Sequence, residues 1–294
     1  MTMRNKSFAS FLLIKGLLIC LVLSCLSSCD VINPAEPTPA YIHIDSISLN
    51  TDYNTEGSRT NNFTDSWIYV NGIYLGAYEF PFTVPVLAEG LNKISIRAGI
   101  QDNGISGSRS AYSKVLTYDT SLTLLSNQTF IINPVVRYLT GTAFVQLEDF
   151  DDGSLLLVPT TANTSTFSIT PGGDPNAFEG NSGHIQLDGS HPLFEYASAT
   201  AFTLPTTTPV YVELNYKCTQ EFTVGVFVSS SSGLLQSPVL NLRPTTEWKK
   251  VYINLTTGGG IFTNALNYKI YLKSSLPASS SSADIFLDNL KVLY

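Results

Sequence analysis

Carboxylates and aromatic–amide faces are the side chains of this 294-residue chain whose spacing suggests chemistry. Glu148, Asp149, Asp151 and Asp152 crowd into "EDFDDGS" ahead of Gly153. Alternating carboxylates of this kind can hold a hard cation, yet the bidentate Glu that closes an EF-hand loop does not follow at the required distance. A solvated acidic turn is the competing reading. Trp248, Lys250, Tyr252 and Asn254 alternate with Val251, Ile253 and Leu255 in "TEWKKVYINLT". If the aliphatic side is the core, the Trp248 side faces water, and aromatic rings beside amides are what sugar rings stack on. A tryptophan that merely caps a sandwich edge is the structural alternative. Tyr211, Glu213 and Asn215 form a comparable face.

Other chemistries lack their patterns. His43, His184 and His191 are the only histidines, and none stands in an HxxxH, HxH or Cys/His spacing, so a transition-metal site is not expected. "GNSGH" at 180–184 has neither the Gly-x-Ser-x-Gly spacing nor the following helix of a nucleophile elbow. Gly258-Gly259-Gly260 lacks the Lys-Ser/Thr of a phosphate loop. No acid/base pair or activated nucleophile can be assembled from spacing alone, and the expectation is a protein that binds and does not catalyse.

Arg4 and Lys6 precede the apolar run "FLLIKGLLICLVLSCL", which ends at Ser27, Ser28 and Cys29. This is the three-part pattern of an export signal. The run from Gly16 to Leu26 is about half of what a bilayer-spanning helix needs, and Lys15 interrupts any extension. Leu26-Ser27-Ser28-Cys29 resembles the bacterial lipobox, and the resemblance implies that Cys29 is acylated and becomes the first mature residue. Val22-Leu23-Ser24-Cys25 is a weaker second candidate. Several acyl chains would hold such a protein firmly in a membrane. Only Cys218 then remains as a thiol, with no partner for an intramolecular disulfide. Loss of Arg4, Lys6 and Lys15 with the leader leaves 13 basic against 23 acidic residues, a net charge of −10 that argues against nucleic acid as a partner.

The positioning elements are all β. Charged residues make up only 13% of the chain, Thr, Val, Ile, Tyr and Phe are abundant, and no useful helical period follows the leader. Residues 29–40, with three prolines, read as a lipidated tether after a signal peptide at 1–28. "YIHIDSISL" alternates as a strand over 41–49, and "SWIYVNGIYLGAYEF" predicts a hairpin turned by Asn71-Gly72 in a type I′ turn. "LNKISIRAG", "LTLL" and "QTFIINPVVRYL" complete a first sandwich over 41–139. "VYVELNYKC", "EFTVGVFVS", "WKKVYINLT", "YKIYLK" and "DIFLDNLKVLY" alternate through 140–294 and predict a second sandwich.

The Asn-Gly hairpin with Leu75-Gly76, the proline-containing link to Leu87 and Gly90, and "KISI" together resemble PEGA-type small sandwiches of exported bacterial proteins. "VQLEDF", "TEWKKVYINLT" and "DIFLDNLKVLY", in that order, resemble the first, middle and last strands of galactose-binding-like jelly rolls, the architecture of many carbohydrate-binding modules. That second resemblance implies a structural calcium shared by a first-strand carboxylate and a last-strand Asp, here Glu148 and Asp288. Asp288 is expected on the apolar Phe286, Leu290 and Val292 side, where a lone carboxylate is costly; capping of a loop amide is the alternative to a cation. The overall plan resembles surface lipoproteins of the Bacteroidota. The expectation is an outer-membrane, surface-exposed lipoprotein that binds glycan through Trp248, Tyr252 and Asn254. The alternative is an accessory subunit of an outer-membrane assembly, secretion or uptake complex.

Overall fold

The computed structural model describes residues 15–17 and 36–294. Most of the leader, Cys29 and most of the tether lie outside the described residues. The protein is all β, and the α-helix within its fold, Tyr53–Glu56, is a single turn whose Asn54 amide donates to the Asp52 carboxylate.

Alternation builds the first sandwich. Ile94, Ile96, Ala98 and Ile100 point inward from the long strand Gly90–Gln101. That strand pairs with Asp65–Val70 on one side and with Arg109–Ala111 and Tyr118–Leu124 on the other, and Ile73–Glu79 adds to the edge. Ala40–Ile44 sits between Phe82–Val86 and Thr129–Ile131 in the opposing sheet. Asn71 and Gly72 take φ of 51° and 81°, both positive as a type I′ turn requires. The expected single strand over 41–49 is broken. Ile42 and Ile44 are buried from one parity, whereas Ile47 and Leu49 are buried from the other, because the chain leaves the sheet at Asp45–Ile47 before pairing again at Ser48–Leu49.

In the second sandwich, Ser282–Leu293 is the central strand of a six-stranded sheet. Ser182–Asp188 and Tyr211–Cys218 flank it, Thr166–Thr170 and Thr245–Asn254 lie beyond them, and Phe144–Glu148 pairs with its C-terminal half. The first strand of this sandwich is thereby tied to the last. Leu157–Pro159, Leu193–Ser198, Ala265–Ser275, Phe222–Ser230 and Gly233–Leu242 form the opposing sheet. The core between the sheets takes Val212, Leu214, Val251, Ile253, Ile285 and Leu287 from one side and Phe194, Val224, Val226, Ile270 and Leu272 from the other.

One hydrophobic core draws on Ala40 through Tyr138 and the other on Phe150 through Val292, but Tyr211, Tyr252 and Leu293 of the second sandwich pack into the first core. The outer face of the six-stranded sheet is therefore partly roofed by the first sandwich.

Candidate binding cleft and the buried face beside it

Strand parity places Trp248, Lys250, Tyr252 and Asn254 on one face, as the sequence indicates, and the first sandwich decides which of them meet water. Tyr252 is 2% exposed. Its ring stacks on Phe63 at 6.2 Å and its hydroxyl accepts the Asn62 N–H at 3.0 Å. Asn254 is also buried, donating to the Tyr211 hydroxyl at 3.1 Å and accepting the amides of Thr256 and Thr257. The expectation that these two side chains face solvent is corrected: the Tyr252 ring packs into the first sandwich, and the Asn254 side chain is buried within the second, where it caps the loop that follows its strand. Alternation locates the outer face of a sheet but carries no information on whether another domain covers it.

The same cover encloses a charged cluster. Glu213 is fully buried, paired with the Lys250 ammonium at 3.0 Å, and accepts the hydroxyls of Tyr112 at 2.6 Å and Tyr138 at 2.9 Å. Lys291 donates to the Ser58 carbonyl at 2.5 Å and to the Tyr138 hydroxyl at 3.2 Å. Burial works against the Glu213 charge, but Lys250, Lys291 and the Tyr112 hydroxyl together hold its carboxyl below the usual range. Burial pushes Lys291 down to about 7 against the attraction of Glu213. A buried carboxylate with two lysines is stable only while every member keeps its partners.

Trp248 stands at the border of this cover. Its indole is half-buried and lies 5.2 Å from the Phe178 ring, with the Lys217 ammonium 5.8 Å from its centre. Its ring N–H is buried, with no hydrogen-bond partner among the described residues. The two rings border an open cleft of about 1010 Å³ between the sandwiches. Asn61 and Asn103 reach it from the first sandwich and Asn215, Asn241 and Arg243 from the second. Asn103 accepts the Asn254 N–H and Asn215 accepts the Thr60 hydroxyl, which spends their amide oxygens and leaves their NH₂ groups as donors. An aromatic floor with fixed amide donors and one guanidinium suits a neutral polyhydroxylated ligand.

The carboxylates singled out in the sequence are engaged separately. Glu148 accepts the backbone N–H groups of Phe150 at 3.0 Å and Leu156 at 2.6 Å. Asp149 accepts the Tyr53 hydroxyl and the Asp151 amide, Asp151 accepts the Asn181 amide, and Asp152 accepts the Ser154 amide and hydroxyl. Asp288 accepts the Ser182 hydroxyl at 2.8 Å and the Glu179 amide at 3.2 Å through one oxygen, while the other is buried and unpartnered. No group of three or more His, Cys, Asp or Glu able to share a metal occurs among the described residues. Each Glu148 oxygen accepts one backbone amide and Asp288 is held by Ser182 and the Glu179 amide, which is the loop capping that stood as the alternative to a shared cation.

The face assigned to Asp288 also changes. Asn289 takes a φ of 49° and the pairing with Tyr211–Cys218 slips there, so Leu290 and Val292 join Ile285 and Leu287 in the core. Asp288 thus lies on the face of Phe286 and Lys291, not of Leu290. Burial raises its carboxyl to about 7 against the pull of Ser182 and the Glu179 amide. A raised carboxyl favours the protonated native state, so its contribution to stability is complete below the ordinary carboxyl pKa near 4 and is lost as pH rises through about 7. Asp288→Asn keeps an acceptor and a donor without the ionisation. The expected result in urea titrations at several pH values is a shallower fall in stability between pH 4 and 8 than in the parent.

Cys218 is buried at the end of its strand, and burial pushes its thiol up to about 11, away from reactivity. The His184 ring N–H donates to the Asp284 carboxylate at 2.9 Å, and the ring stacks on Phe286.

No protein-family model matches the chain, and no curated protein matches it. Solved structures resemble it weakly. A family 11 carbohydrate-binding module from Clostridium thermocellum, in complex with a β-1,3-1,4-mixed-linked tetrasaccharide, is 15% identical at a TM-score of 0.37, covering 52% of this chain and 96% of that one. The CBM22-1 and GH10 modules of the Clostridium thermocellum endo-1,4-β-D-xylanase 10B are 11% identical at 0.36, over 51% of this chain and 28% of that one. The tailspike protein 4 of bacteriophage CBA120 is 10% identical at 0.36, over 48% of this chain and 19% of that one. The matched part of the chain thus spans about a quarter of those xylanase modules and a fifth of the tailspike's enzymatically active domain. Likeness of this degree carries no functional argument, which rests on the chain's own residues.

Proposed function

We propose that this chain is a non-catalytic, lipid-anchored outer-membrane protein that binds glycan in the cleft between its two sandwiches. The first, over 41–139, is read as a PEGA-like support and the second, over 140–294, as a jelly roll that supplies the aromatic floor. Acylation of Cys29 supplies the anchor in this reading. The carrying observation is the Trp248 indole, half-buried at the mouth of the cleft with the Phe178 ring beside it. A sugar ring would cover the exposed part of the aromatic surface, and its hydroxyls would meet the asparagine amides and Arg243.

Retention on a glycan array tests the reading. Wild-type mature protein is expected to be retained by at least one glycan class, and Trp248→Ala to lose that retention while melting close to the parent temperature. Equal retention of both proteins would remove Trp248 from the site. Absence of retention together with stoichiometric co-purification of an outer-membrane barrel would favour the accessory-subunit alternative.

A further inference from the structure

Among the described residues, one end of the first sandwich carries exposed apolar side chains with nothing packed over them. The Asn71-Gly72 turn delivers Ile73, 74% exposed, and Tyr74 beside it, 48% exposed. Leu87 and Leu91, at 70% and 75%, bracket the turn that opens Gly90–Gln101, and Leu125, at 49%, directly follows Leu124, the partner of Gly90. These loops form one surface, since Asn71 hydrogen-bonds to Asn92 and to the Lys93 amide, and Glu89 meets Ser126.

The chain enters the fold at that same end. Ala40 pairs with Val86, the Pro39 carbonyl accepts the Asn127 N–H, and Tyr41 donates to the Gln128 carbonyl. The second sandwich attaches at the opposite end of the long strand, where Asp102 and Asn103 meet Tyr252. Twelve strand residues separate the two ends by about 40 Å.

From this placement we propose that Ile73, Leu87, Leu91 and Leu125 rest in the surface of the bilayer that holds the acylated Cys29, standing the protein upright with its cleft turned away. The proposal rests on the anchoring reading above. From Cys29 to Pro39 the chain can reach at most about 35 Å, so the apolar tips are held within reach of the lipid at all times. Isolated aliphatic side chains on convex loop tips suit a fluid surface that closes around each of them, whereas a protein groove would require a continuous ridge. Tyr74 beside them has the amphipathic ring that favours headgroup depth. The acidic residue among the tips, Glu89, accepts the Ser126 hydroxyl and keeps its charge, so what draws this end to lipid is apolar contact and not attraction to anionic headgroups.

The test uses full-length acylated protein with an environment-sensitive nitrobenzoxadiazole label at Leu91→Cys or, as a control at the far end, at Ile105→Cys. Each is reconstituted into phosphatidylethanolamine/phosphatidylglycerol vesicles that contain no other protein. Co-flotation reports anchoring; emission and quenching by lipid-borne spin labels report contact. The expected result is co-flotation of both, with blue-shifted, lipid-quenched emission from position 91 and water-like emission from position 105. Flotation with water-like emission at 91 overturns the contact and leaves the anchor standing. Failure to float refutes the anchor and the contact with it. A blue shift at 91 that appears without vesicles and grows with protein concentration assigns the tips to a second copy of the chain and also overturns the proposal.

Discussion

Replacing Glu213 with leucine is expected to lower the stability of the whole chain by about 3–5 kcal/mol, because Lys250 and Lys291 are then left buried without a counter-charge. Burial of an uncompensated ammonium costs far more than the hydrogen bonds that Tyr112 and Tyr138 lose. The loss would be read as a lower urea midpoint at unchanged slope. Adding Lys250→Met and Lys291→Met to Glu213→Leu is expected to recover most of it, since well-packed apolar side chains often replace a buried charge set at little cost. Both sandwiches contribute partners to this cluster, Tyr112, Tyr138 and Ser58 from one and Glu213, Lys250 and Lys291 from the other. Glu213→Leu with a stability change under about 1 kcal/mol would mean that water reaches the lysines, as at an exposed pair.

Tyr252 and Trp248 lie on one strand face and are expected to respond oppositely. Tyr252→Ala removes a ring packed among Phe63 and Tyr112 and should cost about 3–5 kcal/mol, the range for truncating a large buried aromatic. Tyr252→Phe should cost only about 1 kcal/mol, for the acceptor lost to the Asn62 N–H. Trp248→Ala should fall well below the Tyr252→Ala loss, because its indole is half-exposed at the cleft. Thermal or urea unfolding of the three variants checks the order. Equal losses for the two alanine variants would place Trp248 in the interface.

The reading of Trp248, Tyr252 and Asn254 as one face followed from period-2 alternation, which is local and survives folding. Their separation into a cleft residue and two interface residues depends on contacts across about 190 positions, such as Asn62 with Tyr252, and no local pattern encodes those. Glu213, Lys250 and Lys291 are charges in the middle of strands, and Glu213 lies opposite Lys291 in the register, but cross-strand pairs of opposite charge are equally at home on a solvated face. The type I′ hairpin was legible because Asn71-Gly72 sets its own backbone. The bulge at Asn289 was not, because an asparagine with positive φ inside an apolar strand looks in sequence like any other strand residue. That single residue moved Leu290 and Val292 into the core and put Lys291 on the face of Asp288.

Entry of ligand into the cleft at Trp248 would be read out by the fluorescence of that indole. The chain has two tryptophans, so Trp67→Phe leaves Trp248 as the sole indole. Oligosaccharides of the class retained on the array should then change its emission saturably and protect it from iodide quenching, with a midpoint matching that from calorimetry. Calorimetric binding of the same oligosaccharide with no change in Trp248 emission or quenching would place the glycan elsewhere on the protein and contradict the account.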